Sequence, residues 1–175
     1  MTISLVLTII GPDRPGLVDS LARVVADHRG NWLESRMASL DGQFAGILRV
    51  ALPDSQAQSL TQALKGLEGQ GLKITLAGSP PQATSGHYRN LRLELVGQDR
   101  PGIVRDIARV LADGGVSIDE LDTAVFSGSM SGENLFRATA RLRVPKALAD
   151  EQLRWVLEEL ANELMVDIEL EDWEL

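Results

Sequence analysis

An internal duplication constrains the fold of this chain more than any other feature of its sequence. Residues 11–27 and 97–113 match at a constant offset of 86 positions, with eleven of seventeen residues identical and three more exchanged among Leu, Ile and Val. Both copies open with Gly-x-Asp-Arg-Pro-Gly. A period close to half of the 175-residue length indicates one structural unit that is repeated. A function carried by this motif is therefore expected at two places.

The composition is that of an ordinary globular protein and excludes several classes. Hydrophobic residues make up 44% and charged residues 24% of the chain. No apolar run reaches the ~18 residues of a membrane span, and the first residues lack the basic segment of a signal peptide. The absence of cysteine excludes disulfides, thiolate metal sites and a cysteine nucleophile. We therefore expect a cytoplasmic protein.

The charge and the few chemically reactive side chains argue against direct nucleic-acid binding and against catalysis. The net charge of −8 would repel a phosphate backbone. Neither of the two histidines, His28 and His87, stands at metal-ligand spacing with a second ligand type. No paired base and nucleophile is visible. The sequence thus predicts no catalytic residues, no metal and no cofactor, and so a protein that is not an enzyme.

Hydrophobic periodicity predicts the same order of elements in both halves. In the first half, alternation and helical spacing indicate strands at 3–9, 32–40, 44–52 and 72–76, and helices at 17–30 and 60–67. In the second half they indicate strands at 91–95, 117–127, 134–144 and 166–170, and helices at 103–111 and 153–164. The order β-α-β-β-α-β is that of a ferredoxin-like unit. The predicted fold class is α+β, with two such units in tandem and helices on one face of each antiparallel sheet.

A segment without periodicity separates the two halves. Residues 78–86 contain Pro80 and Pro81 between glycine and serine, which indicates a linker. The predicted organisation is a first domain at 1–78, a linker at 79–89 and a second domain at 90–175. Because helices cover only one face of each sheet, we expect the bare face to be covered by the sister unit or by another chain.

Each position of the repeated motif has a conformational interpretation. The first glycine is expected to permit a tight turn, the arginine before proline to be extended, and the proline to fit the first helical turn. The second glycine leaves the N–H groups of the helix start uncovered. These positions are Gly11, Arg14, Pro15 and Gly16 in the first copy and Gly97, Arg100, Pro101 and Gly102 in the second.

The motif also suggests a ligand. Uncovered N–H groups and the helix dipole favour a carboxylate at the helix start. Asp13 and Asp99 provide an acceptor close by, suited to an ammonium group. Together these features match a free α-amino acid. The alternative is that each aspartate simply caps its helix, as in any strand-to-helix turn.

Residues beyond the motif, taken together with it, resemble those of a known domain family. The segments Gly-Asn-Trp-Leu-Glu-Ser-Arg at 30–36 and Val-Ser-Ile-Asp-Glu-Leu at 116–121 follow the two predicted helices. With the motifs, they resemble ACT domains over nearly the whole chain. A stand-alone pair of this size is similar to the glycine cleavage system transcriptional repressor family. Related modules also precede the catalytic domains of phosphoserine phosphatase and formyltetrahydrofolate deformylase.

The resemblance implies where a ligand would bind. ACT modules bind amino acids where the strand-to-helix loop of one module meets the helix-to-strand junction of another. Here Asn31 and Ser117 start the strands after the two helices, and Ser117 stands where the family pattern has Asn. Gln98 also replaces Pro12, so we expect the two pockets to differ. The implied pockets combine Gly11, Asp13 and Gly16 with Ser117, and Gly97, Asp99 and Gly102 with Asn31.

The resemblance further implies a regulatory function. The expected protein senses a small amino acid, with glycine as the first guess, and passes the signal to a DNA-binding activator by protein contact. A homodimer is left open. Two alternatives remain: a regulatory subunit of an amino-acid-metabolising enzyme, and an interaction module that has lost ligand binding. The three tryptophans, at 32, 155 and 173, are expected in the core or at an interface.

Overall fold

A computed structural model of the chain describes residues 1–78, 85–128 and 132–173. The chain divides into two compact units, Met1–Ala83 and Thr84–Leu175, and each is described by itself. We call them unit 1 and unit 2. The domain boundaries given above remain a prediction, since residues 79–84 of the proposed linker lie outside the described residues.

Unit 1 has the predicted order of strands and helices. Its elements are β1 (Thr2–Pro12), α1 (Leu17–Asp27), β2 (Asn31–Leu40), β3 (Gln43–Pro53), α2 (Ala57–Gly66) and β4 (Lys73–Gly78). All neighbouring strands are antiparallel, and the sheet order is β2-β3-β1-β4. The first strand thus lies inside the sheet, between β3 and β4. The repeated motif therefore begins at the end of a central strand of the sheet.

Unit 2 repeats this topology. Its elements are β5 (Tyr88–Gln98), α3 (Ile103–Asp113), β6 (Ser117–Ser127), β7 (Asn134–Pro145), α4 (Asp150–Leu164) and β8 (Val166–Asp172). The sheet order is β6-β7-β5-β8, again antiparallel throughout. The prediction of two ferredoxin-like units in tandem is confirmed.

The connection between the two middle strands differs between the units. In unit 1, Asp41 and Gly42 have φ of 48° and 78°, as a two-residue hairpin turn requires. In unit 2 the predicted hairpin loop includes residues 129–131, which lie outside the described residues. Its base is closed by a hydrogen bond of 2.8 Å from the Gly128 N–H to the Glu133 carbonyl. Both connections lie at the same end of the sheet as the motif that follows the first strand.

Each unit has its own hydrophobic core, between its two helices and one face of its sheet. In β1, for example, Leu7 and Ile9 are buried while the residues between and beside them are more exposed, as strand alternation dictates. The helices contribute stripes at i, i+4 and i+7 or i+8 spacing. Helices therefore cover one face of each sheet, as predicted. Within residues 1–78, 85–128 and 132–173, no helix is long and apolar enough to cross a membrane.

The face of each sheet turned away from the helices, which we call its open face, has a different character in the two units. The open face of unit 1 carries mainly apolar or small residues, and Ile47 is 55% exposed there. Charged side chains dominate the open face of unit 2. When the two sheets are aligned on Gly11 and Gly97, Val6 and Ala45 of unit 1 correspond to Arg92 and Arg137 of unit 2.

Candidate ligand-binding site at the strand-to-helix junctions

The first glycine of each motif lies inside a strand rather than in a turn. Gly11 is the penultimate residue of β1 and Gly97 the penultimate residue of β5. A Cβ at Gly11 would lie 2.6 Å from the Gly71 carbonyl oxygen, and one at Gly97 would lie 2.8 Å from Val166 Cβ. The prediction of a tight turn is therefore wrong. Glycine is needed because the last strand of each unit, or the residues just before it, approaches too closely for a side chain.

The second glycine, not the proline, marks the start of each helix. Gly16 and Gly102 are the N-cap residues, with φ of 88° and 95° in the left-handed region that favours glycine. A right-handed helix cannot contain such a residue, so Pro15 and Pro101 lie in the turn before it. The prediction that these prolines occupy the first helical turn is wrong. The two prolines instead shape the loop that leads to the N-cap.

The helix starts leave N–H groups available to a ligand. The first helical hydrogen bonds run from the Ser20 N–H to the Gly16 carbonyl and from the Asp106 N–H to the Gly102 carbonyl, each 3.0 Å long. The N–H groups of the three residues in between have no acceptor inside the helix. They point toward the loop, and the helix dipole adds a partial positive charge. Each helix start can therefore accept a carboxylate.

The aspartate of each motif is held by its main chain and has a free side chain. The Asp13 N–H donates to the Gly42 carbonyl and the Asp99 N–H to the Asn134 carbonyl, both at 2.9 Å. These bonds tie the loop to the connection between the two middle strands. Both aspartates are exposed. Among the described residues, neither carboxylate forms a hydrogen bond or an ion pair. The alternative that they cap the helices has no such bond to support it.

The two junctions, which we define as residues 11–23 and 97–109, differ in their first helical turn. In the first junction, Asp19 pairs with Arg23 at 2.9 Å, and Arg14 donates to the Gln70 side-chain oxygen at 3.0 Å. The arginine of the first motif is therefore engaged with the segment before β4. No described atom lies within 4 Å of the position that a Cβ would take at Gly16.

In the second junction an arginine occupies the place of Asp19. The Arg105 guanidinium lies over the helix start, with its Nη2 3.0 Å from the position of a Cβ at Gly102. Its Nε donates to the Asp106 carboxylate at 2.9 Å. This hydrogen bond is the main cause of a lowered pKa of Asp106; burial opposes it, and the charges of Arg105, Arg109 and Arg100 lower the pKa further.

The second junction is the more positive of the two. It contains three arginines and two aspartates, whereas the first contains two of each. A carboxylate at the start of α3 would lie near the guanidinium of Arg105, whereas the start of α1 has no such guanidinium and its Asp19 carboxylate pairs with Arg23. We did not predict this difference from the sequence. The signal was available in the duplication itself, because Asp19 and Ser20 align with Arg105 and Asp106.

The remaining predicted site residues lie at the far end of each helix. Asn31 begins β2 and Ser117 begins β6. Helix α1 has eleven residues, which corresponds to about 16 Å at 1.5 Å per residue. Asp13 and Asn31 are therefore not brought together within unit 1, and the same holds for Asp99 and Ser117 within unit 2. A pocket that contains both kinds of residue would need two units.

One described cleft lies away from the junctions. It has a volume of about 510 Å³ and is lined by Arg92, Glu171, Asp172 and Trp173. Arg92 stands five residues before Gly97 on β5, which corresponds to about 17 Å along a strand. None of the predicted site residues lines this cleft. Within the described ranges, no group of three histidine, cysteine, aspartate or glutamate side chains could hold a metal ion.

Comparison with known proteins agrees with the fold and identifies the family. No curated protein matches the sequence significantly. A crystal structure of an unknown protein from Galdieria sulphuraria is 31% identical, with a TM-score of 0.90 over 99% of this chain and 100% of that one. A protein provisionally named as a glycine cleavage system transcriptional repressor is 21% identical, with a TM-score of 0.73 over 100% and 99%. The model of the ACT domain family matches residues 4–76 and 90–171. The chain therefore belongs to the ACT domain family.

Proposed function

We propose that this protein is a non-enzymatic regulator that senses a small amino acid at its strand-to-helix junctions and controls a transcriptional regulator through protein contact. The proposal rests on one observation above all. In each unit, an exposed aspartate stands just before a helix start, and among the described residues neither its carboxylate nor the first N–H groups of the helix have a partner. An amino acid carries the complementary pair of charges, an ammonium group and a carboxylate.

The ligand contacts follow from this pairing. The ammonium group would bind Asp13 or Asp99, and the carboxylate would accept hydrogen bonds from the helix N–H groups beyond Gly16 or Gly102. As the resemblance to ACT modules implies, a second ACT unit would complete each pocket, Asn31 for the junction of Asp99 and Ser117 for that of Asp13. Glycine is the first ligand to test, because the resemblance to the glycine cleavage system repressor family implies it.

We expect the pocket of Asp99 to be the tighter one. Its junction carries the additional guanidinium of Arg105, which attracts a carboxylate. Its proposed partner residue, Asn31, offers both donors and acceptors, whereas Ser117 offers only a short hydroxyl. The pocket of Asp13 has no counterpart of Arg105, and its proposed partner residue is Ser117 instead of an asparagine. We therefore expect it to bind the amino acid less tightly.

The downstream partner is proposed from a structural relative and from charge. The relative with a TM-score of 0.73 is named as a transcriptional repressor of the glycine cleavage system. A chain with a net charge of −8 is suited to contact a DNA-binding regulator rather than DNA. Ligand binding would change this contact only if the amino acid binds more tightly to one conformation of the protein than to another.

The test is calorimetric titration of the full chain with glycine, serine and the other amino acids. We expect saturable binding at up to two sites per chain. Asp99→Ala should remove the tighter site and Asp13→Ala the weaker one. Asp54→Ala and Asp122→Ala serve as controls, because these exposed aspartates, one before α2 and one in β6, lie outside the strand-to-helix junctions and away from Asn31 and Ser117. Both controls should bind as the wild type does.

Two outcomes would contradict the proposal. If no amino acid of the panel binds, the protein is not an amino-acid sensor, and the interaction module without a ligand becomes the better description. If the double variant Asp13→Ala/Asp99→Ala binds as tightly as the wild type, the ammonium role of the aspartates is wrong.

A further inference from the structure

Helix α4 presents a tryptophan to solvent on the side opposite the core. Its residues Leu153, Leu157, Leu160 and Leu164 are buried against the sheet. At 100° per residue, Trp155 lies roughly half a turn away from that stripe. Its side chain is 62% exposed. Trp155 therefore lies outside the core, and of the two places expected for the tryptophans, the core or an interface, only an interface remains for it.

Acidic side chains surround the exposed indole. Glu151, Glu158 and Glu159 stand at positions i−4, i+3 and i+4 relative to Trp155, which are its neighbours on a helix surface. All three are exposed, and none forms an ion pair with a described residue. We call these four residues the Trp155 face. Its carboxylates are not used within the described part of the chain.

The duplicated unit shows that the fold does not require such a face. Helix α2 packs on its sheet through Leu60 and Leu64 as α4 does through Leu153 and Leu157. In that alignment Gln62 stands in the place of Trp155. Helix α2 carries a single lysine and no acidic residue, whereas α4 carries five carboxylates and one arginine. The same scaffold is therefore stable with a neutral or a slightly basic outer face.

The chemistry of the Trp155 face defines the partner that it fits. An exposed indole provides a large rigid apolar contact, and tryptophan is enriched among residues that dominate binding at interfaces. The three carboxylates around it favour lysine and arginine and oppose nucleic acid or an anionic membrane. A second copy of this chain would bring its own excess of negative charge. A basic protein segment satisfies both features.

We infer that the Trp155 face is the docking site for a basic amphipathic segment of a partner protein, with an apolar contact on the indole and Lys or Arg side chains on Glu151, Glu158 and Glu159. The inference rests on the proposed function, because it names the surface through which that control would act. It also assigns the task to unit 2 alone. Unit 1 offers Gln62 and Lys65 at the equivalent positions.

The inference can be tested with two labelled peptides of 18 residues in length, roughly five helical turns. One has leucine on its apolar stripe and lysine elsewhere, and the other has glutamate in place of lysine. Fluorescence anisotropy measures their binding to the full chain. The wild type should bind the lysine peptide and not the glutamate peptide. Trp155→Gln, which introduces the residue of α2, should weaken binding about tenfold.

Charge is separated from the indole with matched variants. Glu158→Gln/Glu159→Gln should weaken binding about fivefold and flatten its salt dependence. Glu169→Gln/Glu171→Gln removes the same charge from exposed positions on β8 and should change binding less than about twofold. Circular dichroism establishes that each variant is folded. A Trp155→Gln protein that binds the lysine peptide like the wild type overturns the inference, as does an equal loss for the two glutamate pairs.

These outcomes are distinct from those of the amino-acid titration. Trp155→Gln should bind amino acids as the wild type does, because α4 contains none of the predicted ligand-binding residues. Failed docking with intact amino-acid binding would refute the docking site alone. Intact docking in a wild-type protein that binds no amino acid would refute the sensing function alone.

Discussion

The two units have the same topology, but the two faces of their sheets have diverged to different degrees. On the helix side, Leu7 and Ile9 of unit 1 correspond to Leu93 and Leu95 of unit 2, and all four are buried. On the open face, Val6, Ala45 and Ala51 of unit 1 correspond to Arg92, Arg137 and Arg143 of unit 2. One ion pair is common to both open faces, since Arg49 and Glu34 of unit 1 correspond to Arg141 and Glu120 of unit 2. Packing against helices fixes the polarity of one face only, because buried charges are costly. The other face was free to change with the surroundings of each unit.

The arginines on the open face of unit 2 find partners within that unit. Arg141 contacts Glu120 at 2.8 Å, and Arg143 lies 3.5 Å from Asp119. The guanidinium of Arg137 lies 4.9 Å from the ring centre of Phe126. Ion pairs at a protein surface stabilise it by about 1 kcal/mol or less each, and Arg141 and Glu120 are only partly exposed. The main consequence of these arginines is that the open face of unit 2 carries more charged side chains than the mainly apolar or small open face of unit 1.

The largest expected effect concerns Gly11 and Gly97, which occupy the same place in the two units but have different close neighbours. Gly97→Ala and Gly11→Ala should each lower the free energy of unfolding by about 1–3 kcal/mol, because the new Cβ overlaps a packed neighbour. In unit 2 the neighbour is the Val166 side chain, which can be shortened. In unit 1 it is the Gly71 carbonyl oxygen, which no substitution removes. Urea unfolding measures both changes.

Double-mutant cycles sharpen this comparison. Val166→Ala should cost less in the Gly97→Ala protein than in the wild type, because it removes the overlapping Cγ1, and the relief should be partial because Val166 Cβ remains 2.8 Å from the new methyl group. Leu72→Ala should bring little relief to Gly11→Ala, since the carbonyl oxygen remains in place. Equal coupling energies in the two cycles would mean that a side chain or the backbone limits the space at both glycines. That result would contradict the structure, in which a side chain lies next to Gly97 and a backbone oxygen next to Gly11.

An intermediate effect is expected from exchanging the charges of the two helix starts. Arg105→Asp should weaken amino-acid binding at the second junction, and Asp19→Arg should strengthen it at the first, each by about two- to fivefold. Calorimetry at low salt measures both, and added salt should reduce the difference because the side chains are exposed. Arg154→Asp on α4 is the control and should leave both affinities unchanged. Changes of the same sign in the two exchanged variants would contradict the assigned electrostatic difference.

The smallest expected effect is a pH dependence of stability that comes from Asp106 in unit 2 and has no counterpart at Ser20 in unit 1. The hydrogen bond from Arg105 lowers the pKa of Asp106 below its ordinary value of 3.8. The unfolded chain therefore binds the proton first on acidification. The stabilisation is complete above pH 3.8 and disappears as the pH falls through the folded pKa. Ser20, at the same position in unit 1, does not titrate there.

Unfolding of the wild type and of Asp106→Asn across this range measures the effect. The wild type should be slightly more stable at neutral pH, and the two proteins should converge in acid. Ser20→Ala is the matched variant in unit 1, and its effect should not vary with pH. A constant difference between the wild type and Asp106→Asn at all pH values would mean that the ion pair does not contribute.

Much of the fold was predictable from the sequence, and the candidate site only in part. The Asp41-Gly42 turn, the helical stripes and the strand order follow from local patterns of burial, and the structure confirms them. The roles of the first glycine and of the proline were misassigned. Their causes are the approach of a distant segment and a left-handed N-cap, and neither leaves a periodic signal in the neighbouring sequence.

The sequence by itself determined the duplication, the order of elements and the two places where an aspartate precedes a helix start, because periodicity and motif spacing are properties of adjacent residues. Only the tertiary structure decided which side chains remain free. It showed Asp13 and Asp99 without side-chain partners in the described residues, Arg105 over Gly102, and Trp155 turned to solvent. These properties depend on contacts between residues far apart in sequence, and such contacts exist only once the helices have packed on the sheet.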